Sequence, residues 1–233
     1  MIVGIHQPQY IPWLPYFLKI ERSDVFILLD SVDFQKNGLQ NRNQIKTGSG
    51  SHWLTIPVSQ KSQQKIINID ISNETKWSYK HWLTIQQSYS KAKYFNAYEG
   101  ELESIYSQEW KKLCDINIEI IIMMMNWMGI KTPLLRSSEM KVQGFSSELI
   151  LNLCKEVGAK SYLSGSGGEN YLDSESFEKQ GIEIISQPSI SLKKYPQANG
   201  NRDFLADLSA LDIILNCGDM LRKYLPSEVI DND

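Results

Sequence analysis

Residues 1–30 read MIVGIHQPQYIPWLPYFLKIERSDVFILLD, and this stretch decides the fold. The apolar run Met1–Ile5 predicts a first strand. Pro12 suits the first turn of a helix, because a helix does not use the N–H group that proline lacks there, and we expect this helix to run to about Glu21. The nearly continuous apolar run within Asp24–Asp30 is typical of a strand buried on both faces of a parallel sheet. Strand, helix and strand together predict a right-handed βαβ unit.

The second half of the chain repeats this alternation of helices and strands. The predicted elements are a helix at Phe145–Glu156, a strand at Ser161–Ser164, a helix at Ser174–Lys179, a strand at Ile182–Gln187 and a helix at Phe204–Cys217. With the opening βαβ unit they predict an α/β fold with an open, mainly parallel, Rossmann-like sheet of the doubly wound type.

The pattern changes between these two halves. Residues 31–51 are polar and contain glycines, which predicts a loop. Trp53–Val58 and Lys65–Ile71 alternate apolar and polar side chains, which predicts an antiparallel β-hairpin. Three runs with helical spacing then predict a helical insertion: Trp77–Ala92, Ala97–Lys112 and Asp115–Met128. We therefore divide the chain into the first half of an α/β domain (1–75), a helical insertion (76–130), the second half of the domain (131–225) and a tail (226–233).

Composition narrows the class of protein. Of the 233 residues, 42% are hydrophobic and 22% are charged, as in an ordinary globular protein. The net charge of −3 argues against DNA as a partner, because nucleic-acid binding usually goes with a basic excess. The three cysteines are isolated, so neither disulfides nor a zinc site is predicted. No apolar run is long enough to span a bilayer and no signal peptide precedes the first strand, so we expect a cytoplasmic protein.

His6 and Gln7 directly follow the first predicted strand. In open α/β sheets, ligands bind in the crevice at the carboxyl ends of the strands, and a nearby helix N-terminus favours an anion such as phosphate. The pKa of free histidine is about 6.5, so His6 is a candidate acid or base and equally a candidate phosphate ligand. Gln7, Gln9 and Tyr10 carry amide and hydroxyl groups that are suited to substrate binding.

Asp30 ends the second predicted strand, and Asp33 lies close behind it. Carboxylates at this position either bind Mg²⁺ or a sugar hydroxyl, or cap a turn. Both interpretations stay open for Asp30 at this point, and we include it among the catalytic candidates.

The segment Gln40–Lys46 is the densest polar cluster of the chain. Arg42 offers a planar fork of donors that matches a carboxylate or phosphate, which makes it the third catalytic candidate. Asn41 and Asn43 are suited to hold either loop backbone or a ligand, and Lys46 adds positive charge. The cluster predicts an anion site, with these two asparagines and Lys46 as substrate-binding residues.

A glycine-rich loop follows the predicted strand Ser161–Ser164. Such a loop lets backbone N–H groups close on a phosphate, although this one lacks both the P-loop lysine and the G-x-G-x-x-G spacing. The substrate-binding residues predicted from it are Ser164, Gly165, Ser166, Asn170 and Tyr171. Gln197, in a later loop, is expected to form one wall of the cleft. We expect His6, Arg42 and this loop to converge on one hollow.

Taken together, these blocks resemble the WbqC-like family, which is found with genes for bacterial cell-surface polysaccharides. The matching blocks are His6–Trp13, Phe17–Ile20, Gln40–Asn43, Trp53–Val58, Tyr162–Leu172 and Ser209–Asn216. The chain departs from the family pattern at Gln9, where asparagine is common, and at Pro15, where glycine is common. The resemblance implies a transferase of O-antigen or lipopolysaccharide biosynthesis. This transferase would acylate or aminoacylate, for example with glycine, the amino group of a nucleotide-linked amino sugar.

A weaker resemblance, to the nucleotidyltransferase and pantothenate-synthetase group, rests on the strand, histidine, proline-rich turn and helix at the start of the chain. That group carries a second histidine where this sequence has Gln9. The resemblance implies an ATP-dependent ligase or nucleotidyltransferase as the alternative, and a non-catalytic binding protein of the same pathway is the third candidate. The candidate co-substrates are ATP with Mg²⁺, or an acyl or aminoacyl donor carried by tRNA, CoA or a carrier protein. The sequence predicts no oligomeric state.

Overall fold

The computed structural model describes residues 1–59, 63–165, 167–168, 172–198 and 203–226. The strands among them are β1 (Ile2–His6), β2 (Val25–Leu28), β3 (Arg42–Thr47), β4 (Gly50–Thr55), β5 (Val58–Ser59), β6 (Asp70–Ile71), β7 (Leu134–Arg136), β8 (Ser161–Ser164) and β9 (Glu183–Ser186). The α-helices are α1 (Leu14–Glu21), α2 (Trp77–Tyr89), α3 (Phe95–Ser107), α4 (Leu113–Trp127), α5 (Ser146–Glu156), α6 (Ser174–Lys179) and α7 (Ala210–Cys217).

The chain folds into two compact units, and each is assembled from several stretches of sequence. Unit 1 comprises Met1–Pro8, Pro15–Val32 and Ile130–Ser189. Unit 2 comprises Gln9–Leu14, Asp33–Gly129 and the chain from Ile190 onward. The helices α2, α3 and α4 belong to unit 2. The division at residues 75 and 130 stays a prediction.

Unit 1 is built on a five-stranded, all-parallel sheet with the spatial order β7-β2-β1-β8-β9. Counted along the chain, these strands stand in the order 3-2-1-4-5, which is the order of Rossmann-like folds. The predicted α/β fold with a parallel sheet is therefore confirmed. Its central strands are apolar on both faces because helices cover the sheet, and α5 contributes Leu149 and Leu153 to the core.

Gly4 lets the sheet of unit 1 close tightly against the turn that follows α1. A Cβ atom at this position would overlap the Ser23 hydroxyl and would lie 2.7 Å from the Phe26 ring. Residue 4 therefore has to be glycine for the start of β2 to approach β1 this closely.

The hairpin of unit 2 lies elsewhere than predicted. β3 and β4 pair antiparallel from Arg42↔Thr55 to Thr47↔Gly50, so a strand occupies the second half of the predicted 31–51 loop. The predicted antiparallel pairing of Trp53–Val58 with Lys65–Ile71 holds at one end, where Val58 of β5 pairs with Ile71 of β6, whereas residues 53–55 belong to β4 and pair with β3. β3 was missed because five of its six side chains are polar, and the hydrogen-bond partners of the buried Asn43 and Lys46 lie far away in sequence.

The helix predictions hold to within a few residues for α4 and α5, which end at glycines, whereas α7 begins at Ala210 and not at the predicted Phe204. α4 stops before Gly129 and α5 before Gly158, which have φ angles of +72° and +71°. The left-handed conformation of these two residues is readily accessible to glycine and terminates each helix. The short edge strand β7 was not predicted. In the described part of the chain, no helix has the length and apolar character needed to cross a membrane.

Candidate functional site at the switch point of the sheet

The parallel sheet of unit 1 has its topological switch point between β1 and β8. From β1 the chain proceeds to β2 on one side, whereas β8 and then β9 lie on the other side. The register pairs Gly4 with Leu163, and two further residues along each strand bring His6 level with Gly165. Ligands of open α/β sheets bind outside the carboxyl ends of the strands at this kind of point. The structure therefore brings two predicted site segments together here.

His6 is a half-buried imidazole whose protonation is strongly biased by its surroundings. Its Nδ1 lies 3.1 Å from the Gln7 carbonyl oxygen, and its ring meets the Tyr16 ring edge-on at 5.1 Å. Donation from Nδ1 to the carbonyl leaves the lone pair on Nε2. Burial, assisted by the positive charge of Lys19, lowers the pKa of His6 to about 4. At neutral pH the ring is therefore uncharged, which argues against phosphate binding through a positive charge, and a role as a base stays a prediction.

Asp30 is fully buried at the end of β2, where it clamps the turn that follows β7. Its Oδ1 accepts hydrogen bonds from the Ser137 hydroxyl and the Ser138 N–H, at 3.0 and 2.8 Å. Its Oδ2 accepts from Arg136 Nε and the Ser138 hydroxyl, at 2.9 and 2.7 Å. A carboxylate satisfied in this way does not fit a Mg²⁺ site, and the contacts support the turn-capping interpretation. A catalytic role for Asp30 stays a prediction.

The glycine-rich loop folds back onto the end of β8. The Ser164 side chain is buried, and its hydroxyl donates to the Gly165 carbonyl at 3.1 Å. The Gly168 N–H donates to the same carbonyl at 2.9 Å, and a Cβ atom on Gly168 would overlap the Ser164 hydroxyl. Ser166, Asn170 and Tyr171 lie outside the described residues.

We predict that Gly168→Ala destabilises the protein by about 1–3 kcal/mol, because the added methyl group forces Ser164 or the loop to move. Urea unfolding measures the effect. Gly167→Ala is the matched control, since a Cβ atom at Gly167 meets no atom within 4 Å. Equal effects of the two substitutions would contradict the close packing of Gly168 on β8.

In unit 2, Arg42 lies on an aromatic platform. Its guanidinium stands 4.5 Å from the centre of the Trp53 ring, and the Trp53 side chain is 41% exposed. Stacking on an indole orients the planar fork of donors. Arg42 Nε is buried and has no hydrogen-bond partner in the described structure, and the same holds for Gln9 Oε1 and Asn41 Oδ1. Such atoms are rare in proteins and mark places where water or a ligand completes the hydrogen bonding.

The other side chains of this cluster hold backbone. Asn43 Nδ2 donates to the Ile11 carbonyl at 2.8 Å, and Asn41 Nδ2 donates to the Ile56 carbonyl at 3.0 Å. Tyr10 is fully buried, and its hydroxyl lies 2.8 Å from His81 Nδ1. These contacts show that both asparagines hold loop backbone, and substrate binding by them and by Tyr10 stays a prediction.

Lys46 and Gln197 meet although they are 151 residues apart in sequence. Lys46 Nζ donates to Gln197 Oε1 at 2.9 Å, and Gln197 Nε2 donates to Asp212 Oδ2 at 2.9 Å. The hydroxyls of Tyr89 and Tyr195 also donate to Asp212, at 2.8 and 2.7 Å. Burial raises the pKa of Asp212, and these hydrogen bonds oppose the rise. Tyr89 was missed because nothing near it in sequence indicates a carboxylate partner.

The predicted site residues divide between the two units. His6, Gln7, Asp30, Ser164 and Gly165 belong to unit 1, while Gln9, Tyr10, Asn41, Arg42, Asn43, Lys46 and Gln197 belong to unit 2. That both groups serve one hollow stays a prediction. Within the described ranges, no group of three or more His, Cys, Asp or Glu side chains is arranged to hold a metal ion.

The strand order defines an α/β protein with a Rossmann-like sheet, and His6 lies at the switch point of that sheet. The model of the WbqC-like protein family matches residues 7–224, and the chain belongs to this family. It is 32% identical over 226 residues to Rv1507c of Mycobacterium tuberculosis, a protein described as uncharacterized, and the match covers 96% of each chain. No solved structure matches the chain.

Proposed function

We propose that this protein is a transferase of bacterial surface-polysaccharide biosynthesis that forms an amide on the amino group of a nucleotide-linked amino sugar. The transferred group is an acyl or aminoacyl group, such as glycyl. The observation that carries the proposal is the uncharged imidazole of His6 at the switch point of the sheet, with its lone pair on Nε2. Membership of the WbqC-like family supports the proposed pathway.

The proposed step needs a base at the position that His6 occupies. The amine nitrogen of the sugar attacks the carbonyl carbon of the donor, a C–N bond forms, and the bond from that carbon to the carrier breaks. The amine loses a proton as the C–N bond forms, and His6 Nε2 receives it. The imidazolium then passes the proton to the departing carrier oxygen or sulfur, so atoms and charges balance.

The remaining roles follow the chemistry of each side chain. In unit 1, the N–H groups of the loop after Ser164 are assigned to a phosphate of the nucleotide. In unit 2, the stacked guanidinium of Arg42 is assigned to a phosphate or carboxylate, because its fork presents parallel donors. Lys46 is held by Gln197 and by the Asp203 carbonyl, so it supports the surrounding loop and adds positive charge.

Calorimetric titration of UDP- and dTDP-linked amino sugars tests the proposal, with the corresponding hydroxy sugars as matched ligands. We expect the amino sugars to bind and Arg42→Ala to weaken binding at least tenfold, as loss of a charge-assisted hydrogen bond does. Binding by none of these ligands, or binding indifferent to Arg42, would contradict the proposal.

Mass spectrometry identifies the transferred group. The protein is incubated with an amino sugar that binds and, in separate reactions, with acyl-CoA, aminoacyl-tRNA or an acylated carrier protein. We expect the sugar to gain the mass of one acyl or aminoacyl group in one of these reactions. An amide missing from the surface glycan of cells that lack the protein would identify acceptor and group together.

The strand order 3-2-1-4-5, which also occurs in nucleotide-binding folds, supports a second candidate: an ATP-dependent ligase or nucleotidyltransferase. This function requires ATP and Mg²⁺ and releases pyrophosphate. Pyrophosphate release with an amino sugar as acceptor would favour it over direct transfer from a carrier. A protein that binds the sugar but catalyses neither reaction would be a binding protein of the pathway.

A further inference from the structure

Lys19 is a buried lysine of unit 1 that forms no ion pair with any described acidic residue. It lies on α1, is 2% exposed, and its Nζ donates to the Ile5 carbonyl at 2.7 Å. The same ammonium group stands 5.7 Å from the centre of the Tyr162 ring. None of the ion pairs between described residues includes Lys19.

This arrangement is costly for the fold. An ammonium group removed from water loses its hydration, and buried lysines are normally paired with a carboxylate. Here one carbonyl and one aromatic face take that place. Burial lowers the pKa of Lys19 to about 7. A neutral apolar side chain at this position would cost less free energy on burial. The charge and the hydrogen bond of Lys19 therefore need an explanation.

We propose that Lys19 is a positioning residue for His6. Its ammonium group holds the carbonyl of Ile5, the residue directly before the histidine, and its positive charge adds to burial in opposing protonation of the neighbouring imidazole. The inference rests on the proposed role of His6 as a base and adds the residue that sets the position and charge of that base.

Among the described residues, Lys19 is the charged side chain that acts on His6. His6 on β1 faces Tyr16 and Lys19, which are both on α1. Lys19 also faces Tyr162 on β8 and Cys154 on α5. Burial raises the pKa of the Cys154 thiol to about 12, so this thiol is uncharged at neutral and acidic pH.

The sign of the effect follows from the two pKa values. His6 gains its proton near pH 4, where Lys19, with a pKa of about 7, is fully protonated. Two neighbouring positive charges repel, so Lys19 makes protonation of His6 harder. Removing the charge of Lys19 therefore raises the pKa of His6, while the remaining burial still holds it below the value of a free histidine.

Proton NMR of the histidine rings against pH tests the inference, with His6→Gln used to assign the His6 signal. In Lys19→Met, which keeps the length of the side chain, we expect the pKa of His6 to rise by about one unit, a tenfold gain in proton affinity. Lys19→Arg keeps the charge and leaves the pKa near its original value. Lys179→Met, which removes an exposed charge of unit 1, is the matched control and causes no shift.

An unchanged His6 pKa in a folded Lys19→Met protein would overturn the inference, because a merely structural lysine alters stability and not the titration of its neighbour. If that variant does not fold, the same titration of the unmodified protein tests the inference. Its His6 signal should show a second, smaller inflection near pH 7, where Lys19 loses its proton, and the absence of this inflection would overturn the inference. Neither measurement uses a substrate, so failure of the proposed reaction and failure of this inference remain distinguishable.

Discussion

Replacement of His6 by glutamine is expected to lower the rate of amide formation by about 100- to 10,000-fold, the range that loss of a general base causes. Glutamine retains a hydrogen-bonding group but accepts no proton at neutral pH, so substrate binding should change much less than kcat. Steady-state kinetics on the reaction found by mass spectrometry measures both quantities.

His52→Gln is the matched control for this experiment, because His52 is an exposed histidine on β4. It should retain the original rate. A rise in KM with kcat unchanged, or an equal loss of rate in both variants, would contradict the assignment of His6 as the base.

The pH dependence of the reaction rate also tests the assignment of His6 as the base. The reaction requires an unprotonated His6, whose pKa is about 4, so His6 itself should cause no loss of rate at the pH at which a free histidine gains its proton. Stability behaves in parallel. Because the pKa of His6 is lowered in the folded protein, folding opposes protonation of this ring. The contribution of His6 to the free energy of unfolding is therefore fully present above pH ~6.5 and is lost as the pH falls towards about 4. His6→Gln should remove this part of the acid sensitivity.

Asp30→Ala is expected to lower the free energy of unfolding by about 3–5 kcal/mol, the cost of removing one partner of a buried ion pair. The substitution leaves Arg136 without this carboxylate and deprives the Ser137 and Ser138 donors of their acceptor. Equilibrium unfolding in urea, followed by circular dichroism, measures the change.

Asp33→Ala is the control for Asp30→Ala, because this side chain is exposed and a surface substitution should change stability by less than about 0.5 kcal/mol. Asp30→Asn should lie between the two, since the amide keeps one acceptor oxygen but loses the charge. A stable Asp30→Ala protein without activity would instead assign Asp30 a catalytic role.

The elements that were predicted correctly are those whose signals are local. Ser161–Ser164 and Ser174–Lys179 were predicted with the bounds that the structure has. For the helix, the Asp173 side chain accepts from the Ser176 N–H and marks the first residue. By contrast, β3 was predicted as a loop, because five of its six side chains are polar and the hydrogen-bond partners of the buried Asn43 and Lys46 are distant in sequence.

Candidate residues were easier to find than their roles. His6 was identified by its place after an apolar strand, but its charge state depends on Lys19 and on burial. Asp30 was identified in the same way, and its four donors come from residues 136–138, more than a hundred positions along the chain.

The sequence by itself determined that this is an α/β protein with a parallel sheet, a histidine after the first strand and a glycine-rich loop after a later one. Periodicity, caps and glycine stops act over a few residues and can be recognised in a single chain. Only the tertiary structure decided that β1 and β8 are neighbours, that Lys19 is buried and donates to the Ile5 carbonyl, and that Lys46 meets Gln197. Strand order and burial depend on which distant segments pack together, and the charge of each polar group follows from that packing.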